Sequence, residues 1–266
     1  MPPRSEPAEE SRPTSRTTLL VRTRGNRRTL EFQDGDIQSE MLLSHPDALV
    51  LDYARAMMCF ALFAPGPRHI LMVGLGGGSL AKFCYRHFPA TRITVLEISA
   101  EVIALREQFC LPADDARLRI VHTDAADYLR GANASFDVIL VDGFDAAGMP
   151  EALGSAQFYG DCRRALRSGG VLVANILSYD AQHDTLVARV HETFAGRVCD
   201  LHGAAGNNHL LVAIKAPRPG ASPATQGARL HERLQECLIR HRGLRFPFLN
   251  RLLARAVLAW LAWRPV

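Results

Sequence analysis

From His69 onward, apolar runs of strand length alternate with segments of helical period. The runs fall at 69–75, 92–98, 118–123, 136–142, 170–177, 197–202 and 208–215, and the helical segments at 79–88, 99–109, 125–131, 155–167 and 181–195. This alternation predicts an α/β fold: a doubly wound, mostly parallel sheet of seven strands with helices on both faces. Gly203-Ala-Ala-Gly-Asn-Asn208 is too short for a helical crossover, so the last two strands are expected to pair antiparallel. Upstream, Leu19–Arg22 and Thr29–Phe32 read as two short strands turned at Gly25-Asn26. Leu49, Tyr53, Met57 and Phe60 share one helical face within Pro46–Phe63.

These patterns divide the chain into five stretches. Residues 1–17 hold almost nothing to bury and read as a disordered leader, 18–45 as a β appendage and 46–215 as a nucleoside-binding α/β domain. Residues 216–228 are a Pro- and Ser-rich linker, and 229–266 form a helical tail. In that tail Leu230–His241 and Phe248–Trp263 are the helical segments. The second places Leu249, Leu252, Leu253, Ala256, Val257, Trp260 and Leu261 opposite Arg251 and Arg255. Such a stripe docks on the body, or on a second copy of the chain as a homodimer. An anionic membrane surface is the less favoured destination.

Composition narrows the function classes. With 266 residues and 48% hydrophobic content there is room for one well-buried domain. The net charge of +4 is uneven: residues 32–215 hold 15 Lys and Arg against 21 Asp and Glu, whereas 216–266 hold nine Arg against two Glu. An acidic body attracts small cations and does not grip a phosphate backbone, so no nucleic-acid partner is expected. The six cysteines form no C-x-x-C pair and read as reduced core residues, which with the absence of an apolar leader points to the cytoplasm. Cysteines and histidines show no metal-ligand spacing, and no metal is expected.

The chemistry concentrates where strands end. Ile70–Val73 breaks into Gly74-Leu-Gly76-Gly-Gly78-Ser79, and the next apolar run closes on Glu97. Glycines at 74, 76 and 78 let a ligand approach the backbone, and a carboxylate closing the next strand can accept from both ribose hydroxyls. A nicotinamide site would want Gly or Ala where Ser79 stands, and the antiparallel final hairpin marks the Rossmann-like methyltransferase type of sheet. In such a sheet Asp124-Ala125 lies beside the base, where Asp124 can accept from an adenine amino group or cap the helix that follows. Asp142-Gly-Phe-Asp145 sets two carboxylates at the carboxyl edge of a central strand, where open α/β sheets bind ligands. Two acids there can hold an amine, and one can take its proton.

From about Asp34 to Lys215, some two-thirds of the chain, the sequence resembles the spermidine synthases, the polyamine aminopropyltransferases of the class I methyltransferase-like fold. Gly74–Ser79 falls on that family's G-G-G-D-G-G loop, Glu97 on its ribose-binding acid, Asp124-Ala125 on its adenine-side Asp-Ala, and Asp142–Asp145 on its D-S-S-D signature. Asp34-Gly-Asp-Ile-Gln38 is similar to its D-G-x-x-Q segment, and Ser39-Glu-Met41 to the end of its Y-H/Q-E-M motif. The resemblance implies Asp142 as base, Asp145 as a polyamine holder, and Gln38 and Glu40 as active-site residues. Its implied reaction moves an aminopropyl group from decarboxylated S-adenosylmethionine to a small cationic amine such as putrescine, releasing methylthioadenosine.

The chain departs from that pattern at the amine side. Gly77 stands where the family has an Asp, the Tyr of Y-H/Q-E-M is missing, the segment after Gln38 is shortened, and Ala146 replaces Pro after the second acid. Two alternatives stay open: a methyltransferase using intact S-adenosylmethionine, and a non-catalytic adenosine-binding protein.

Overall fold

A computed structural model describes residues 19–32, 37–145, 148–216, 235–239 and 247–263. The leader, Asp34–Asp36, most of the linker and much of the first tail segment lie outside the described residues.

Seven strands form one sheet in the order β6-β5-β4-β7-β8-β10-β9: β4 (His69–Val73), β5 (Arg92–Glu97), β6 (Leu118–His122), β7 (Phe136–Val141), β8 (Leu166–Leu177), β9 (Val198–Asp200) and β10 (Asn208–Ile214). The five from β6 to β8 are parallel, and β10 runs antiparallel to both β8 and β9. The chain moves outward from β4 through β5 to β6 and then crosses to the other side at β7. The crevice between the ends of β4 and β7 is therefore the switch point where open sheets bind ligands.

Period-2 alternation feeds two cores. Ile70, Met72, Val138 and Leu140 pack on one face, and Leu71, Val73, Ile139 and Val141 on the other. The first face is covered by α1 (Asp52–Met57), a 3-10 turn (Met58–Leu62), α2 (Ser79–His87) and α3 (Ala100–Ala104). The second carries α4 (Ala125–Arg130), α5 (Glu151–Gly154), α6 (Ala156–Ala165) and α7 (His183–Thr193).

Several elements differ from the sequence reading. The N-terminal hairpin is a three-stranded antiparallel sheet, β1 (Leu20–Arg24), β2 (Arg27–Glu31) and β3 (Ile37–Leu42). The third strand carries Gln38–Met41, whose polar residues hide its period. The helix expected over 99–109 ends at Ala104, and the chain turns until Cys110, which takes a positive φ of 54°. Strand β8 starts at Leu166, not 170, because Leu166 pairs with Phe136 before the register shifts. Cys59, Cys84, Cys162 and Cys199 are buried, but Cys110 and Cys237 are exposed, so the core reading fails for those two.

The tail helix α8 (Pro247–Trp263) docks on the 3-10 turn and α1 through Ala254, Val257 and Leu261. Its buried stripe is rotated from the expected one: Leu252, Ala256 and Trp260 face outward, while Asn250 is buried and donates to the His202 carbonyl at 3.0 Å. Among the described residues no helix is long and apolar enough to cross a membrane.

Candidate active site

The carboxyl edge of the sheet opens into a cleft of about 1520 Å³ between the N-terminal sheet and the loops after β4, β5, β6 and β7. Gln38, Gly74, Gly76, Glu97, Asp124, Ala125, Asp142 and Asp145 all line it. Gly78 does not. It caps α2 with φ 67°, and a Cβ there would meet Leu111 Cδ1 at 2.1 Å. At Gly74, with φ 93°, a Cβ would strike the Asp142 carbonyl at 2.3 Å. At these two positions glycine is required by the protein's own packing rather than by a ligand's approach.

One side of the cleft is built around Glu97. Its Oε2 accepts from the Leu75 amide and its Oε1 from the Ser99 amide, both at 2.8 Å. These bonds fix the carboxylate and the glycine loop together, and each oxygen keeps a second lone pair for a hydroxyl. Asp124 caps α4 through Oδ1, which accepts from Ala126 N at 2.7 Å and Asp127 N at 3.4 Å. The capping and binding readings of Asp124 are compatible, since both amides bond the same oxygen.

The other side is built around Asp142, which directly follows β7. Asn175 Nδ2 donates to its Oδ1 at 2.8 Å, and the Tyr53 hydroxyl, which reaches the Gln38 carbonyl at 3.3 Å, also faces the same carboxylate and favours its charged form. Burial pushes the Asp142 carboxyl above the usual aspartate range, and the two donors pull against that shift. Burial next to Asp142 also holds the Tyr53 phenol well above its ordinary value, so it stays a donor. Asp145 sits on the rim, its amide and carbonyl both bonded to Gly148. Asp180 lines the same rim, anchored by the Met149 and Gln182 amides.

The charged residues lining the cleft among the described residues are Glu97, Glu101, Asp124, Asp142, Asp145 and Asp180, all acidic. Glu40 is not part of it, being buried and paired with Arg27. Gly77 is closed off: a Cβ would meet Ser39 Oγ at 2.7 Å and Phe109 Cδ1 at 2.8 Å. Sequence reasoning missed Tyr53, taken for a packing residue, and Asn175. The signal for Asn175 is a polar residue in the apolar run Val171–Ile176, level with Asp142.

Residues 51–195 match the family described as spermine/spermidine synthase domain. The chain belongs to this family. A polyamine aminopropyltransferase from Chromobacterium violaceum is 40% identical over 251 residues, 94% of this chain and 93% of that one. The Neisseria meningitidis serogroup A protein of the same name is 40% identical over 194 residues, covering 72% of this chain and 74% of its own. Among solved structures, a probable spermidine synthase from Corynebacterium glutamicum superposes with a TM-score of 0.64 at 22% identity, covering 95% of both chains. A spermidine synthase in complex with the transition state analogue AdoDATO gives 0.57 at 19% identity, covering 89% of this chain and 88% of its own. As a member of the spermine/spermidine synthase family, the protein is a transferase.

Proposed function

We propose that this chain transfers an aminopropyl group from decarboxylated S-adenosylmethionine to a small aliphatic diamine, releasing methylthioadenosine. The observation that carries this reading is that every charged group among the described residues of the cleft is acidic, around a carboxylate flanked by Tyr53 and Asn175. A cleft of carboxylates favours polycationic amines and a sulfonium, and disfavours anionic donors. The names of the relatives at 40% identity support the same class of substrate.

Glu97 is positioned to hold the ribose hydroxyls and Asp124 the adenine amino group. Asp145 and Asp180, on the rim, would take the distal ammonium of the diamine. The reacting nitrogen must be neutral, yet a free alkylamine resembles lysine and is protonated near pH 7. Asp142 would accept that proton. The nitrogen lone pair then forms a bond to the carbon beside sulfur, the carbon–sulfur bond breaks, and its electrons neutralise the sulfonium. A carboxylate whose affinity for protons is raised by burial suits this step better than an ordinary surface aspartate.

One observation favours a second reading. Gly77 offers no carboxylate to the amine of the aminopropyl chain, and Phe109 fills the space, which would suit intact S-adenosylmethionine and methyl transfer. Calorimetric titration with the decarboxylated and intact sulfonium, each with and without putrescine, decides between them. Tighter binding of the decarboxylated form, with methylthioadenosine released on adding putrescine, is the expected result.

A further inference from the structure

We propose that Asp200, His202 and His209 bind a divalent transition-metal ion of the zinc class, at the far edge of the sheet from Asp142. The proposal rests on no part of the aminopropyl-transfer reading.

The register of the hairpin brings the three residues together. Strand β9 pairs with β10 so that Asp200 faces Leu211, and the Leu201 amide continues the ladder to the Leu210 carbonyl. One step further, position 202 lies across from His209. Asp200 and His202 are thus two apart on one edge, with His209 opposite, and period-2 alternation puts all three on one side. Their ligand atoms lie within 4.8 Å of one another. Two imidazoles and one carboxylate form the donor set of three-ligand zinc sites, with the fourth position left to water. His209 is buried and His202 exposed, so the site has a fixed floor and an open entrance.

The surroundings brace the ligand set from behind. His209 Nε2 faces Asp200 Oδ1 at 2.7 Å, and its Nδ1 faces His183 Nε2 at 2.8 Å. His183 Nδ1 in turn faces Asp184 Oδ1 at 2.9 Å. A metal on His209 Nε2 leaves Nδ1 of the same ring to His183, and His183 Nδ1 to Asp184. A ligating histidine oriented through its other nitrogen by a chain ending on a carboxylate is the usual support of a metal site. Among the described residues, Asp184 and Asp200 form ion pairs only with these histidines. Two carboxylates beside the imidazoles make a setting that favours a bound cation.

The loop carrying His202 is already anchored, by Asn250 on the His202 carbonyl and by Arg251 Nε on the Gly203 carbonyl at 2.9 Å. An ion would tie β9 to β10, with His183 of α7 braced behind it. It would also fix the strand start at which Asn208 Nδ2 donates to Asn175 Oδ1 at 3.0 Å.

The test uses the full-length protein, stripped with EDTA and desalted. It is titrated with Zn²⁺ by calorimetry and with Co²⁺ by visible absorption. The expected result is one site with Kd of ~10⁻⁶ M or tighter, ligand-field bands of four- or five-coordinate Co²⁺, and a raised Tm with Zn²⁺. Asp200→Asn with His202→Ala removes two partly or fully exposed ligands while leaving His209 packed, and should weaken binding by ~100-fold or more. His183→Gln should weaken it by roughly 10–100-fold. Wild-type binding no tighter than millimolar would overturn the proposal. Equal affinity in the folded double variant would also overturn it, by placing the ion elsewhere.

Discussion

Asn175 Nδ2 donates to Asp142 Oδ1 at 2.8 Å, joining two neighbouring strand ends at the floor of the cleft. With the Tyr53 hydroxyl it stabilises the charged form of a carboxylate that burial pushes the other way. As the proposed base, Asp142 accepts a proton only when ionised, so kcat/KM should fall as pH drops through its pKa, which burial raises above the ordinary aspartate value. Tyr53→Phe and Asn175→Leu each delete a donor to the carboxylate, so its pKa rises further. The acid limb of the pH profile should move to higher pH in both variants. Limbs that superpose on the wild type would assign the base elsewhere.

Asp142→Asn separates chemistry from binding. The proposed nucleoside contacts run through Glu97 and Asp124, on other strands, so methylthioadenosine affinity should stay within about threefold. Turnover should fall by roughly 10²–10⁴, the usual contribution of a general base. Calorimetry and a methylthioadenosine-release assay on one preparation give both numbers. Equal loss in the two would mean that Asp142 shapes the pocket instead of moving a proton.

Asp124 has a cap and a proposed adenine contact that substitution can divide. Asp124→Ala removes the cap of α4 and should cost about 1 kcal/mol of stability. Asp124→Ser keeps a capping oxygen and should retain most of that stability. Both lose the carboxylate facing the cleft, so both should bind methylthioadenosine more weakly. Thermal melts and calorimetry on the pair check the division, and a serine variant with undiminished affinity would leave Asp124 with the cap alone.

How much of this was legible in the sequence follows from the range of each interaction. The parallel strands, the crossovers and the final hairpin are written in local periodicity. Glu97, Asp124 and Asp142 are visible because a carboxylate at the end of an apolar run has few reasons to be there. Tyr53 is different: its neighbours in sequence make it look like packing, and only the fold brings its hydroxyl to Asp142. The same holds for His183, Asp200, His202 and His209, whose spacing signals nothing until antiparallel register sets two strands side by side. Strand β3 escaped because Gln38, Ser39 and Glu40 make a polar run, and what buries Ser39 and Glu40 there is the neighbouring loop and Arg27.

Gly77 tests whether the missing acid can be restored. Its Cβ position is blocked by Ser39 and by the Phe109 ring, which is buried with Leu30 and Met41. Gly77→Asp should therefore lower Tm and gain no activity. Gly77→Asp combined with Phe109→Ala opens the space at the expense of a core ring, and activity recovered there relative to Phe109→Ala alone would show that the acid still has a use in this cleft.

Lys82 on α2 is almost fully buried, and its Nζ donates to the Phe109 carbonyl at 2.6 Å. Burial pulls its pKa from 10.5 down to about 8. The unfolded chain therefore binds more protons than the fold between about pH 8 and 10.5, and in that window stability from this group rises with pH. Below pH 8 the full desolvation penalty applies. Lys82→Met has no such penalty, although it leaves the Phe109 carbonyl without its donor. The Tm of the variant minus that of the wild type should thus be most favourable near pH 7 and decline steadily toward pH 10. Titrations common to both proteins cancel in that difference. A difference independent of pH would mean that Lys82 keeps an ordinary ammonium in the fold, reaching water past Phe109.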